Sequence, residues 1–399
     1  MIAEFSIKNF KSLQDVKLHF PEKFNILIGL NGSGKSSVLQ AIDFLVSLSN
    51  PSGVSKWLQA REWDTSSLYT CLSGKRGSSL IVFSLVVDIH DEQYYRYQWD
   101  GTYNGNQEKC TKEAISWNHQ DSNERGRCLS LSEGIVKLDA EIDLPPINLK
   151  PIDYKGSLLS VVKSEMRPYN IPPYDFRTCL EKILSIELLS PLQMKRRVRE
   201  MSGSGVGLGG EQLPLFLHGL TDEQKQRLKT VMTRFYPHFE NFETVAMRGG
   251  WKKLIVREKY DNGIFTTTES RQLNDGMLRV LAIIAETLFS EGTVLIDEIE
   301  DGINPELLEK LVEYLLEDCP CQVITTSHSP LLLNFLPDEQ ARKGVQFVYK
   351  TMEGISRVIP FFQIPQLSES LGLLGAGEVM LQFDMEKVAE MAETMNLSV

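Results

Sequence analysis

Apolar and polar positions divide this chain into stretches of period two and stretches of helical period. Residues 2–7 and 16–20 alternate like two short strands joined by Lys8-Asn9-Phe10-Lys11-Ser12-Leu13. Pro21-Glu22-Lys23 then turns the chain into Phe24-Asn25-Ile26-Leu27-Ile28, an apolar run that reads as a buried parallel strand, and a helix opens near residues 37–42. Residues 79–89, 93–100 and 114–118 are rich in strand formers, with breaks at His90-Asp91 and at residues 101–105, and predict antiparallel hairpins. Residues 119–180 show little periodicity and carry six prolines, so loops with short helices are expected there. Further on, strands are expected at 183–189, across 243–271 with turns at Gly249-Gly250 and Asp261-Asn262-Gly263, and at 293–296, 321–325, 345–350 and 356–360. Helices are expected at 211–220, at 222–235 behind the cap Thr221, from about 275, at 306–316 and near 380–394.

The strand at 24–28 runs into Gly29-Leu30-Asn31-Gly32-Ser33-Gly34-Lys35-Ser36, a full match to the phosphate-loop pattern G-x-x-x-x-G-K-[ST]. Glycines let backbone N–H groups turn inward around an anion, and the helix start adds partial positive charge. Lys35 can reach the β- and γ-phosphates and the Ser36 hydroxyl can coordinate Mg²⁺. The predicted nucleotide contacts here are Gly29, Asn31, Gly32, Ser33, Gly34, Lys35, Ser36 and Ser37. Much later, Thr293-Val294-Leu295-Ile296-Asp297-Glu298 is an apolar strand ending in two carboxylates. Asp297 suits a magnesium ion held through water, and Glu298 suits a base that orients the attacking water.

Taken together, I-x-N-F-K-S-L-x-D at the start and G-L-N-G-S-G-K-S-S after the next strand resemble the RecF, SMC and OLD branch of ABC-type ATPases. The overall similarity is to compact OLD-like AAA family ATPases of the kind represented by PtuA and AriA in defence systems. This resemblance implies an α/β P-loop NTPase of ABC type, with a mixed parallel core sheet, an antiparallel β subdomain and a helical insertion. It puts Lys11 near the nucleotide phosphates and makes Gln193 the candidate glutamine that senses metal and γ-phosphate. Leu273-Asn274-Asp275-Gly276 resembles the signature L-S-D-G, with Asn274 in place of serine, and implies that Asn274, Asp275 and Gly276 face the γ-phosphate bound to a second subunit. Glu300-Asp301-Gly302-Ile303-Asn304-Pro305 resembles the D-loop form E-x-G-L-H-P, which would put Asp301 at the subunit interface. His328, in Thr326-Ser327-His328-Ser329-Pro330, matches the switch histidine. The implied activity is slow, dimer-dependent hydrolysis of ATP with Mg²⁺, two nucleotides being sandwiched in a head-to-tail homodimer or higher oligomer. The expected organisation is an ATPase lobe over 1–130, a loop-rich and helical insertion over 131–242, and a second ATPase lobe over 243–399.

Composition narrows the partners. Forty-two basic and 53 acidic residues give a net charge of −11, which argues against a protein coated in nucleic acid but leaves room for a local basic face. Lys195, Arg196, Arg197 and Arg199 form the strongest cationic cluster and are the candidate contact for DNA or RNA. The glycine-dense segment 203–210 lacks a lysine and a strand-to-helix setting, so a mobile linker is expected. No sustained heptads predict a coiled-coil arm, and no long apolar run or charged leader is evident, so a cytoplasmic protein with no membrane contact is expected. Six cysteines lack metal-ligand spacing and read as reduced thiols. No C-terminal Toprim nuclease is expected. The expected role is therefore the sensor or regulatory ATPase of an anti-phage defence module acting on a separately encoded effector such as a nuclease. The alternative is a RecF-like DNA-binding ATPase of repair or recombination.

Overall fold

A computed structural model describes residues 1–69, 79–90, 94–119, 125–132, 135–137, 147–148, 154–161, 172–187, 189–199 and 205–396. Phe24–Ile28 lies inside a six-stranded sheet whose order is Ile183–Ile186, Thr293–Ile296, Gln322–Ser327, Phe24–Ile28, Val345–Lys350 and Ser356–Pro360. All neighbours are parallel except the last pair, which is the expected hairpin. The strands are buried on both faces because successive side chains serve two different cores. Phe24, Ile26, Ile28, Val294, Ile296 and Val323 pack into one apolar cluster, whereas Leu27, Leu295, Ile324 and Val348 pack into the other. Each fully buried aliphatic side chain contributes about 1.5–3 kcal/mol, so a one-residue slip of any central strand would exchange both sets at prohibitive cost.

The second cluster is covered by the helix Lys35–Leu48 and by an antiparallel sheet of eight strands. That sheet runs in the order Leu13–His19, Ile2–Phe10, Leu80–His90, Tyr94–Asn104, Lys109–His119, Arg125–Ser132, Ile135–Lys137 and Ile147–Asn148. The first hairpin turns in two residues, Lys11 and Ser12, and Asn9 and Lys11 take left-handed φ values of 63° and 50°. The break expected at residues 101–105 does not occur at Gly101, where the strand continues. A Cβ there would lie 2.2 Å from Phe83 Cζ, so this glycine admits a ring rather than making a turn. In the proline-rich region the described segments add strands to this sheet, and Pro172–Glu181 forms a helix.

The first cluster surrounds the helix Asp275–Phe289, with Leu213–Gly219, Asp222–Phe235 and Pro305–Glu317 packed about it. Thr221 and Gln224 close a reciprocal capping box, as the cap signal predicts. Phe239–Ala246, Lys252–Lys259 and Phe265–Glu269 form a separate three-stranded antiparallel sheet. The glycine-dense segment behaves differently from the expected linker over its described part. Val206 is fully buried, and its N–H donates to the Glu286 carboxylate at 2.5 Å. Helices absent from the sequence reading occur at Gly53–Ala60, Pro330–Asn334, Asp338–Gly344, Pro365–Leu371 and Ala376–Gln382. The last of these is separated from Met385–Asn396 by a break where one terminal helix was expected. No helix among the described residues is long and apolar enough to cross a membrane.

Candidate nucleotide-binding site

Three parallel strand ends lie side by side. Ile28 is in register with Ser327, and Thr325 with Ile296, so the residues that follow, Gly29, His328 and Asp297, emerge along one edge of the sheet. Gly29 has φ 150°, and a Cβ there would fall 2.0 Å from the Val348 carbonyl oxygen. Gly34 has φ 112°, and a Cβ would lie 2.5 Å from Ser356 Oγ, which itself donates to the Ser33 carbonyl at 2.6 Å. Neither position tolerates a side chain. Leu30, Asn31 and Gly32 form the exposed crest, Ser36 and Ser37 lie half-buried at the helix start, and Ser33 is buried with its Oγ unpartnered among the described residues. Lys35 is buried, and its Nζ donates to the carbonyls of Gly29 at 2.8 Å and Leu30 at 3.2 Å. Burial holds its ammonium below the ordinary lysine value, opposed by the charges of Glu298, Asp297 and Glu300. A buried cation beside an orphaned hydroxyl, in a loop closed to side chains, fits the phosphates of a nucleotide.

The metal-binding chemistry is made by residues far apart in sequence. Ser36 Oγ donates to Asp297 Oδ1 at 3.0 Å, and Thr326 Oγ1 donates to the same oxygen at 2.5 Å. Hydroxyl and carboxylate oxygens suit Mg²⁺, which keeps several waters and takes phosphate oxygens as ligands. No group of three or more His, Cys, Asp or Glu side chains that could hold a metal occurs among the described residues. Glu298 has a left-handed φ of 49°, unusual for a residue with a side chain, and its N–H donates to Thr326 Oγ1 at 2.8 Å. Thr326 therefore orients both carboxylate residues, a role that reading of the motif had not assigned to it.

Lys11 sits in the tight turn next to Ser12, whose Oγ is hydrogen-bonded to Ser356 Oγ at 2.8 Å behind the loop. Its Nζ donates to Gln40 Oε1 at 2.6 Å and lies 3.4 Å from the centre of the Trp63 ring. Burial brings the Lys11 ammonium down to about 8, with Glu187 opposing the shift and Arg61 adding to it. Gln40 donates in turn to Glu187 at 3.4 Å, and the buried Arg61 bridges Glu187 and Asp43, the latter at 2.6 Å. Burial pushes the Glu187 carboxyl up although Arg61 pulls it down. These partners were missed because the helix Gly53–Ala60, which delivers Arg61 and Trp63, had no clear start signal.

Asn274 is the N-cap of the helix Asp275–Phe289, its Oδ1 accepting from the Met277 N–H at 2.7 Å. Asn274 and Asp275 are exposed, and Gly276 is half-buried. Asp301 pairs with Arg279 of that same helix at 2.8 Å. His328 is 52% exposed with its Nδ1 3.3 Å from Glu300. Gln193 is not drawn into this cluster. It lies exposed on the single turn Pro191–Met194 facing Gly209, and no described contact joins it to Ser36 or Asp297. In the basic run Lys195 is engaged with Asp275 at 2.6 Å, while Arg196 and Arg199 are exposed. Val198 pairs with Lys252, which brings the run to the start of the central strand of the three-stranded sheet.

Comparison with known proteins agrees with this geometry. Residues 1–132 match a family described as an AAA ATPase domain, and residues 187–334 match one described as "AAA domain, putative AbiEii toxin, Type IV TA system". The chromosome partition protein Smc of Methanocaldococcus jannaschii is 25% identical over 324 residues, covering 77% of this chain and 25% of that protein. The DNA replication and repair protein RecF of Pasteurella multocida is 50% identical over 44 residues, 11% of this chain and 12% of RecF. These curated relatives are matched over a quarter of their length or less. A crystal structure of an Smc head bound to the C-terminal winged-helix domain of ScpA superposes with a TM-score of 0.54 at 12% identity, covering 90% of this chain and 97% of the head. The chain thus has the fold of an SMC head, an α/β P-loop ATPase fold, and its sequence likenesses support the ABC-type ATPase branch that includes SMC and RecF.

Proposed function

We propose that this chain binds and slowly hydrolyses ATP, and that two copies close head to tail around two nucleotides. One observation carries the reading: Gly29–Ser36, Asp297 and Glu298 are assembled within one chain, whereas Asn274 and Asp275 at the signature helix start are exposed and free of contact with that loop among the described residues. In each site Lys35 and the loop amides bind the phosphates, Ser36 and Asp297 hold the metal, Glu298 orients and deprotonates water, and His328 hydrogen-bonds the terminal phosphate. Mg²⁺ supplies neutralisation of phosphate charge. The Glu298→Gln protein should bind ATP and accumulate as a dimer in light scattering, and Lys35→Ala should bind no nucleotide. A monomeric Glu298→Gln protein that hydrolysed ATP at the wild-type rate would overturn this reading.

The role we favour is the sensor or regulatory subunit of a bacterial anti-phage defence module that controls a separate effector nuclease. The likeness to compact OLD-like ATPases supports it, as does the matched family whose description names a toxin–antitoxin system. A second reading, a RecF-like ATPase that binds DNA, is favoured by the exposed Arg196 and Arg199 and by the RecF match. Pull-down of Glu298→Gln with ATP, after co-expression with the neighbouring reading frames, separates an effector protein from nucleic acid.

A further inference from the structure

Glu300 opens the segment 300–305 and has so far been given no chemical role, yet its side chain is only 8% exposed and one of its oxygens gathers the whole histidine turn. Oε1 accepts from Ser327 Oγ at 2.9 Å, from the His328 N–H at 2.8 Å and from the Ser329 N–H at 3.2 Å, and lies 3.3 Å from His328 Nδ1. Oε2 is buried and unpartnered among the described residues. The next residue, Asp301, donates its N–H to the Glu298 carbonyl at 2.9 Å and pairs by its side chain with Arg279. Arg279 is only 13% exposed, and its Nε is also buried without a partner among the described residues. Gly302, at φ 65°, lies directly over that guanidinium, since a Cβ there would be 2.8 Å from Arg279 Nε. A Cβ on Gly276, at the helix start, would be 3.3 Å from the Gly302 carbonyl oxygen. A continuous line of contacts thus runs from His328 through residues 300–302 to Arg279 and Gly276.

We propose that Glu300 and Arg279 are positioning residues that couple, inside one chain, the histidine turn of the nucleotide site a subunit holds to the helix start it presents to a second copy. The coupling rests on the phosphate-loop reading above. Its element is the tight turn 297–302, which carries Glu298 and cannot move at Glu300 without moving Asp301 and Gly302. Two buried groups of opposite charge that each keep one unpaired atom mark a network with partners to exchange. A phosphate drawing on His328 changes what Glu300 holds, and the shift is passed to Arg279.

Hydrogen exchange of the full chain, diluted until light scattering shows a monomer, tests this with and without MgATP. In the wild type, ATP should protect 29–36 and also slow exchange across 273–281 by about tenfold. Glu300→Gln and Arg279→Gln should keep the protection at 29–36 and lose the response at 273–281, and Arg279→Lys, which can still pair with Asp301, should recover part of it. An unresponsive 273–281 segment in the wild type, or a response that survives in both glutamine variants, would overturn the coupling. Absence of protection at 29–36 would instead overturn the phosphate-loop reading, and the coupling with it.

Discussion

Around the phosphate loop nearly every charged group is already held by its own chain: Lys35 by two carbonyls, Asp297 by Ser36 and Thr326, Lys11 by Gln40 and Trp63. At the start of the Asp275–Phe289 helix the arrangement is open, with Asn274 occupied by the cap and Asp275 exposed beside Lys195. The first region is preorganised to receive phosphates, so binding costs it little rearrangement. The second offers a helix start whose Asn274 and Asp275 are exposed and make no described contact with the phosphate loop, as expected of a surface completed by another molecule. Both regions also hold displaced ionisable groups: Lys11, Lys35 and Glu187 around the first, and the buried Glu286 further along the helix of the second.

The largest effect should come from blocking the open face alone. Asp275→Trp adds bulk where the helix is exposed and removes only a surface ion pair, so steady-state turnover should fall about 100-fold while ATP affinity stays within about twofold. Equal losses in both would show that the two regions are not separate. A smaller effect concerns stability. Burial pushes the Glu286 carboxyl up to about 7, with the Val206 N–H pulling it partly back. A carboxyl raised above its unfolded value favours the fold in acid, and that advantage is lost as pH rises from about 4.5 through about 7. Glu286→Gln, which keeps an acceptor for Val206, should therefore stabilise the protein by about 3 kcal/mol at pH 8 and by less than about 1 kcal/mol at pH 5. Thermal melts at the two pH values decide it, and a gain independent of pH would show that Glu286 is not held near neutral. The smallest effect belongs to Lys11. Its ammonium, lowered to about 8, is protonated below that pH and neutral above it. If it faces nucleotide phosphates, ATP affinity should be flat below pH 8 and weaken by at most about tenfold per unit above it. Lys11→Met should flatten that dependence, and a wild-type affinity constant to pH 9 would remove Lys11 from the site.

The motifs that carry the proposed chemistry were legible because each is local. A phosphate loop needs its glycines and lysine within eight residues, and Asp297-Glu298 must follow a buried strand at once. The positions of Gly29, Asp297 and His328 on one sheet edge follow from parallel strands that all end on the same side. What escaped notice are partners chosen across the sequence: Thr326 for Asp297, Trp63 and Gln40 for Lys11, Glu300 for the turn 327–329, and Val206 for Glu286. Gly101 was misread for the same reason, since a glycine signals freedom and does not say whether a turn or a ring uses it. Gln193 shows the converse: a residue singled out by its place after a strand can still lie exposed, because a single helical turn decides which way it points.

By itself, then, the sequence determined the α/β class, the strands of the core sheet with the longer helices between them, and the residue types of a phosphate site, because periodicity and loop chemistry act over a few residues. Only the tertiary structure decided that alternate residues of each core strand serve two different clusters, that the phosphate loop and Asp297 meet across 261 residues of sequence, and that the helix Asp275–Phe289 is tied through Arg279 and Asp301 to the turn bearing Glu298. Those choices are made by register, burial and the pairing of buried polar groups, which compare distant parts of the chain and leave no local mark.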